Sequence, residues 1–150
     1  MVAGRKIIGR SFFVLCLLLS IIFAARGVLA SEAYEVVTNP SVPEKTVSKS
    51  SLRAIFGMRL HSWPDGTAVK VFVMPDEAPL HAAFSKEKLN VFPYQLRSAW
   101  DRLVFSGTGQ APETVGSADE MLARVASTPG AIGYLPKSKT DSSVHVLQIK

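Results

Sequence analysis

Few side chains in this sequence have both the type and the spacing that chemistry requires. His61, His81 and His145 stand far apart, and none falls in a His-x-x-x-His or Cys-x-x-Cys pattern, so the sequence predicts no metal site. Surface or strand positions are the expected places for all three. Asp76-Glu77 and Asp119-Glu120 are adjacent pairs. Neighbouring residues on a helix do not face each other, so these carboxylates read as caps and surface charges and not as an acid/base couple. No Gly-x-Ser-x-Gly elbow is present, and the nearest approach, Gly116-Ser117, leads into a capping box. The sequence therefore predicts neither an enzyme nor a cofactor. Ser106-Gly107-Thr108-Gly109 has the composition of a phosphate loop but follows a helix instead of opening one. There the carbonyl oxygens and the negative end of the helix dipole disfavour anions, and Gly107 reads as a left-handed cap.

The elements that must position these residues alternate between strand and helix. Tyr34 to Thr38 is a β-branched run read as a buried strand, and the loose stretch Asn39 to Thr46 joins it to a helix over about Lys49 to Phe56. Ser48 caps that helix, Leu52, Ile55 and Phe56 share one face, and Gly57 stops it. Trp63-Pro64-Asp65-Gly66 is a turn, Ala68 to Met74 a strand, and Pro75 its end. Asp76 is expected to cap a helix over about Pro79 to Leu89. Pro93 opens another to about Phe105, with Leu96, Trp100 and Leu103 at helical spacing. Trp100 reads as core; for Trp63 the sequence leaves core and exposed positions both open. Ser117-Ala118-Asp119-Glu120 is the capping box of a helix to about Ser127, with Met121, Leu122 and Val125 inward. Ala131 to Leu135 and Val144 to Ile149 read as the last two strands. Strands interleaved with helices predict an α/β fold with a mixed or parallel sheet.

Charge sorts the chain into two parts. The 150 residues carry 17 Lys+Arg and 12 Asp+Glu, a net charge of +5. Arg5, Lys6, Arg10 and Arg26 lie in the first thirty positions, where no acidic residue stands. Without those four the balance is 13 basic to 12 acidic, a net of +1. That removes the case for nucleic acid, since Lys137 and Lys139 are then the only close basic pair in a loop and no aromatic is interleaved with them. The first segment itself reads as a signal peptide over 1–30. A basic opening runs into apolar Phe12 to Ala25, then Val28-Leu29-Ala30, with cleavage expected between Ala30 and Ser31. The apolar run of about 14 residues falls short of the roughly 20 that span a bilayer, so no retained membrane span is expected. Cys16 is the single cysteine and lies inside this leader, leaving the mature chain without a disulfide. One domain over 31–150, placed in a periplasm or outside the cell, is the expectation.

Two blocks of residues carry a resemblance. Ser48-Lys-Ser-Ser-Leu-Arg-Ala-Ile-Phe-Gly57 followed by Trp63-Pro64-Asp65-Gly66, and then Val125-Ala-Ser-Thr-Pro-Gly-Ala-Ile-Gly-Tyr134, resemble segments of phosphate ABC-transporter substrate-binding proteins. The resemblance runs over about Tyr34 to Ile149 and corresponds to one lobe of the two-lobed type II periplasmic binding fold. It implies a mixed sheet flanked by helices, no enzymatic activity, and a small oxyanion such as phosphate as ligand.

In the full-length phosphate binders, an arginine, an aspartate and a Ser-Gly-Thr at a helix N-terminus meet the anion. The matching stretch here is Val73 to Leu80, with Asp76, Glu77, Ala78 and Pro79 as the equivalent loop. Met74 or Pro75 stands where the arginine would be, and Ala78-Pro79-Leu80 replaces Ser-Gly-Thr. Two expectations follow. One is a substrate-binding-like lobe that captures an oxyanion, with a self-pair or a second chain completing its cleft. The other is an interaction module that has lost its anion loop and docks on another envelope protein.

Overall fold

A computed structural model describes residues 32–150, and the leader expected over 1–30, with its expected cleavage between Ala30 and Ser31, lies outside them. Among the described residues no helix is long and apolar enough to cross a membrane. The strands are β1 (Tyr34–Thr38), β2 (Thr46–Val47), β3 (Lys70–Val73), β4 (Glu113–Thr114), β5 (Ala131–Pro136), β6 (His145–Val146) and β7 (Gln148–Ile149). The helices are α1 (Lys49–Phe56), α2 (Pro79–Phe84), α3 (Pro93–Phe105) and α4 (Ala118–Ser127).

Five strands form one mixed sheet in the order β4-β3-β5-β1-β6. β3 runs parallel to β4 and β5, and β1 runs antiparallel to β5 and β6. β2 and β7 form a separate parallel pair. The predicted α/β class and its mixed sheet are therefore present. β5 is central and almost wholly buried because its residues, unlike those of an edge strand, are covered on both faces. Gly133 in β5 faces α4, and a Cβ built there would lie 2.5 Å from the Met121 sulfur and 3.1 Å from a Val125 methyl. The helix packs on the sheet at that distance because the glycine has no side chain.

α1 forms as its sequence dictates. The Ser48 hydroxyl accepts the Ser51 N–H at 3.0 Å, and Leu52, Ile55 and Phe56 are buried. Its end differs in detail: Gly57 keeps φ −77°, and Met58 takes the left-handed conformation at φ 56°. Phe56 then joins a stack with Phe84 at 4.6 Å and, through Phe84, Tyr134 at 4.2 Å. Both tryptophans are buried. Trp100 donates its indole N–H to the Phe56 carbonyl at 2.8 Å, and Trp63 to the Gly130 carbonyl at 2.9 Å.

Three expectations are corrected. The helix after Pro79 stays α-helical only to Phe84, and a π-helical turn over Ser85–Leu89 ends at left-handed Asn90. The run Val144 to Ile149 is not one strand. The Leu147 N–H pairs with the Val36 carbonyl and the Gln148 N–H with that of Lys45, so the chain passes from the main sheet to the β2 pair. Leu103 and Leu122, expected inside, are only partly buried.

Candidate functional site

In an open α/β sheet the carboxyl ends of parallel strands are where ligands meet loops. Here β3, β4 and β5 deliver three loops to that edge: Met74 to Ala78, Val115 to Ser117, and Lys137 to Lys139.

The first loop leaves β3 at Met74, turns with the Ala78 N–H on the Pro75 carbonyl at 2.9 Å, and enters α2 at Pro79. Glu77 and Pro79 are exposed, while Asp76 and Ala78 are half-buried. Asp76 does not cap α2, whose N-cap is Ala78 with no side-chain acceptor. Its carboxylate is instead held by Arg97 of α3, from Nε at 2.9 Å and from Nη2 at 3.0 Å. The two-point geometry is the strong form of such a pair. Hydrogen bonding from Arg97 outweighs partial burial and keeps the Asp76 carboxyl below its ordinary range. The guanidinium also lies 5.0 Å over the Trp100 ring, which fixes its plane.

Behind this pair is a group the sequence did not reveal. His81 was expected at a surface or in a strand, but it sits on α2 and is fully buried. Helix α2 turns that face onto β5, where the Tyr134 hydroxyl lies 2.5 Å from Nδ1. The same hydroxyl accepts the Met74 N–H at 2.8 Å. Its own proton is therefore directed to Nδ1, which assigns the His81 proton to Nε2. That Nε2 has no hydrogen-bond partner and stands 3.9 Å from the nearer Asp76 oxygen. Burial pushes the His81 pKa down, against the pull of Asp76, and pushes that of Tyr134 up. A neutral imidazole thus lies behind a loop that carries Asp76 and Glu77 and is met by Arg97 of α3.

The second loop is closed by the chain itself. The Ser117 hydroxyl accepts the Glu120 N–H at 3.1 Å, and the Glu120 carboxylate accepts the Gly116 N–H at 2.7 Å. This is the predicted capping box with its return bond one residue earlier. At the third loop Lys139 pairs with Asp119 at 2.7 Å. Ser106 to Gly109 is a helix end, as its sequence position implied: Gly107 is left-handed at φ 70°, and the N–H groups of Gly107 and Thr108 bond the Val104 and Leu103 carbonyls. His61 and His145 are exposed, and no group able to hold a metal ion is found among the described residues.

The sequence pointed to this loop and gave no sign of the two residues that pack behind it, Arg97 and His81. Arg97 lies 21 residues from Asp76. The one available signal was its position beside Leu96 on an amphipathic helix, which places it at the edge of the buried face.

No family model and no curated protein matches this sequence. Solved structures do. An ABC-type phosphate transport receptor from Vibrio cholerae superposes with a TM-score of 0.61 at 15% identity, over 77% of this chain and 45% of its own. A phosphate ABC transporter substrate-binding protein from Clostridium perfringens, solved with bound phosphate, superposes with a TM-score of 0.64 at 16% identity, over 80% of this chain and 47% of its own. The chain spans less than half the length of either protein. It has the α/β fold of a single lobe of a type II periplasmic binding protein.

Proposed function

We propose that the chain is an exported, non-enzymatic lobe of the substrate-binding type that serves as a docking module in the cell envelope, its anion loop filled by its own carboxylate. The reading takes residues 1–30 as a leader cut between Ala30 and Ser31, and the periplasm as the destination. The observation that carries it is the two-point hold of Arg97 on Asp76. An oxyanion at Asp76, Glu77, Ala78 and Pro79 would compete with that carboxylate for the guanidinium and meet a second carboxylate at Glu77. Asp76 takes the charge-assisted bond, worth about 1.5 to 3 kcal/mol, that the ligand would need. A mature chain near +1 adds no long-range attraction for an anion.

The likeness to a receptor solved with phosphate favours a second reading, in which this lobe is one wall of an oxyanion cleft completed by a second copy or another chain. Thermal unfolding in millimolar phosphate separates the two. Bound ligand at 100 times its Kd stabilises by about 2.7 kcal/mol, a shift of several degrees for a domain of this size. On the first reading the native protein shows no shift and Asp76→Ala, which frees Arg97, acquires one. A shift in the native protein that grows with protein concentration establishes the second.

A further inference from the structure

On the side of α3 that carries Leu96 lies a cavity of about 420 Å³ that shares no residue with the Asp76 loop. Its floor is apolar, formed by Leu89, Val91, Leu96, Ala99 and Leu103. Leu103 points here, which is why a residue at core spacing is left partly exposed. The mouth carries Arg53, Arg59 and Arg102, and no carboxylate is among the lining residues. None of the three arginines forms an ion pair among the described residues. Arg53 is set in place by its Nε–H on the Leu89 carbonyl at 2.8 Å, which leaves its terminal nitrogens open. Gly57 also lines the cavity, where a Cβ would press on the Arg53 carbonyl oxygen at 2.8 Å and touch Arg59 Nε at 3.4 Å.

A volume of this size falls in the range of small-molecule sites, which pair an apolar lining with a few placed polar groups. Three like charges around an apolar floor repel one another and lack a counter-charge, so the complementary ligand brings both an apolar body and an anionic end. A free phosphate would meet the arginines and leave the floor wet. A neutral hydrocarbon would cover the floor and leave the cations unpaired. We infer that this cavity binds an amphiphilic carboxylate, its apolar chain on Leu89, Leu96 and Leu103 and its carboxylate on Arg53, Arg59 and Arg102. Arginine suits the role because its fork donates to a carboxylate at two points. The inference stands apart from the reading of the Asp76 loop and does not need it.

Titration calorimetry with octanoate on the protein expressed from its full chain tests this, with octan-1-ol and inorganic phosphate as controls. The expected result is one octanoate per chain, octan-1-ol weaker by tenfold or more, and no competition from phosphate. Arg59→Gln combined with Arg102→Gln weakens octanoate at least tenfold and leaves octan-1-ol unchanged. Ala99→Phe fills the floor and abolishes both. Should Ala99→Phe fail to fold, the arginine pair of substitutions, both at exposed positions, decides the question alone. Absence of octanoate binding, equal affinity for octanoate and octan-1-ol, or indifference to the two arginine substitutions would overturn the inference.

Discussion

The Tyr134 hydroxyl and His81 Nδ1 meet at 2.5 Å in the interior, joining the central strand to the helix that follows the candidate loop. The same oxygen accepts the Met74 N–H, so one hydroxyl satisfies two buried groups. Tyr134→Phe keeps the ring on Phe84 and strands both partners. At about 1 to 3 kcal/mol for each buried group left unpaired, the expected loss is about 2 to 6 kcal/mol in urea unfolding. A loss no larger than that of an ordinary surface substitution, about 0.5 kcal/mol, would show that the hydroxyl does not hold the network.

Acid should weaken the fold in two separate steps. The folded His81 pKa lies below its ordinary 6.5, so on acidification the unfolded chain takes up a proton at this residue first. Stability is fully present above 6.5 and declines as pH falls toward the depressed folded value. The folded Asp76 pKa lies below 3.8, so its contribution is lost only at lower pH, as that carboxylate is protonated. The melting temperature should therefore begin to fall as pH drops through 6.5, and His81→Gln should flatten that part of the profile while leaving the later drop at which Asp76 is protonated. An unchanged slope in His81→Gln would assign the first step to another group.

Two glycines should respond to alanine differently. At Gly133 the added methyl meets the Met121 sulfur, the middle of a flexible side chain, and overpacking of about 1 to 3 kcal/mol is expected, partly recovered in combination with Met121→Ala. At Gly130 the backbone is left-handed at φ 74°, and the methyl would lie 2.1 Å from the Ala68 carbonyl oxygen. Backbone cannot step aside as a thioether can, so Gly130→Ala should cost more than Gly133→Ala, with no rescue by Met121→Ala. Comparative melting of the two single and two combined variants gives the order directly.

Asn39 ends α4 from a distance. Its side-chain amide donates to the Val125 and Ala126 carbonyls at 2.9 and 2.8 Å, and its side-chain oxygen accepts the Ser41 N–H at 2.9 Å. Terminal helix carbonyls need such partners. Asn39→Ala should cost about 1 to 3 kcal/mol, and hydrogen exchange should quicken first in the last turn of α4 and the turn after β1. Exchange that quickens uniformly over the domain would argue against a local role.

What the sequence disclosed, and what it withheld, follows the reach of each interaction. Ser48 caps a helix three residues away and Gly66 turns the chain within four, so both were legible, as were the apolar runs of β1, β3 and β5. The Asp76–Arg97 pair was not, because neither residue carries a mark of the other. His81 was misplaced for a related reason: a lone polar residue in a short helix does not announce that a tyrosine 53 residues on will receive it. Val144 to Ile149 has the alternation of a strand, yet alternation says nothing of which partner each residue will find. The loop at Asp76 was singled out by resemblance, but the partner of its carboxylate, Arg97, lies outside the two blocks that carry that resemblance.

The parallel pairing of β2 with β7 also sets an order of events. The Lys150 N–H bonds the Val47 carbonyl, and the Lys49 N–H bonds the Lys150 carbonyl, so the start of α1 is pinned by residues about a hundred positions later. Loop closure over that span comes late and slowly. A nascent chain that has reached only Ser143 still lacks the strand that covers one edge of β1 and the partner that fixes β2. Until Val144 to Lys150 are in place, that edge of β1 stays open and the entry to α1 stays untied.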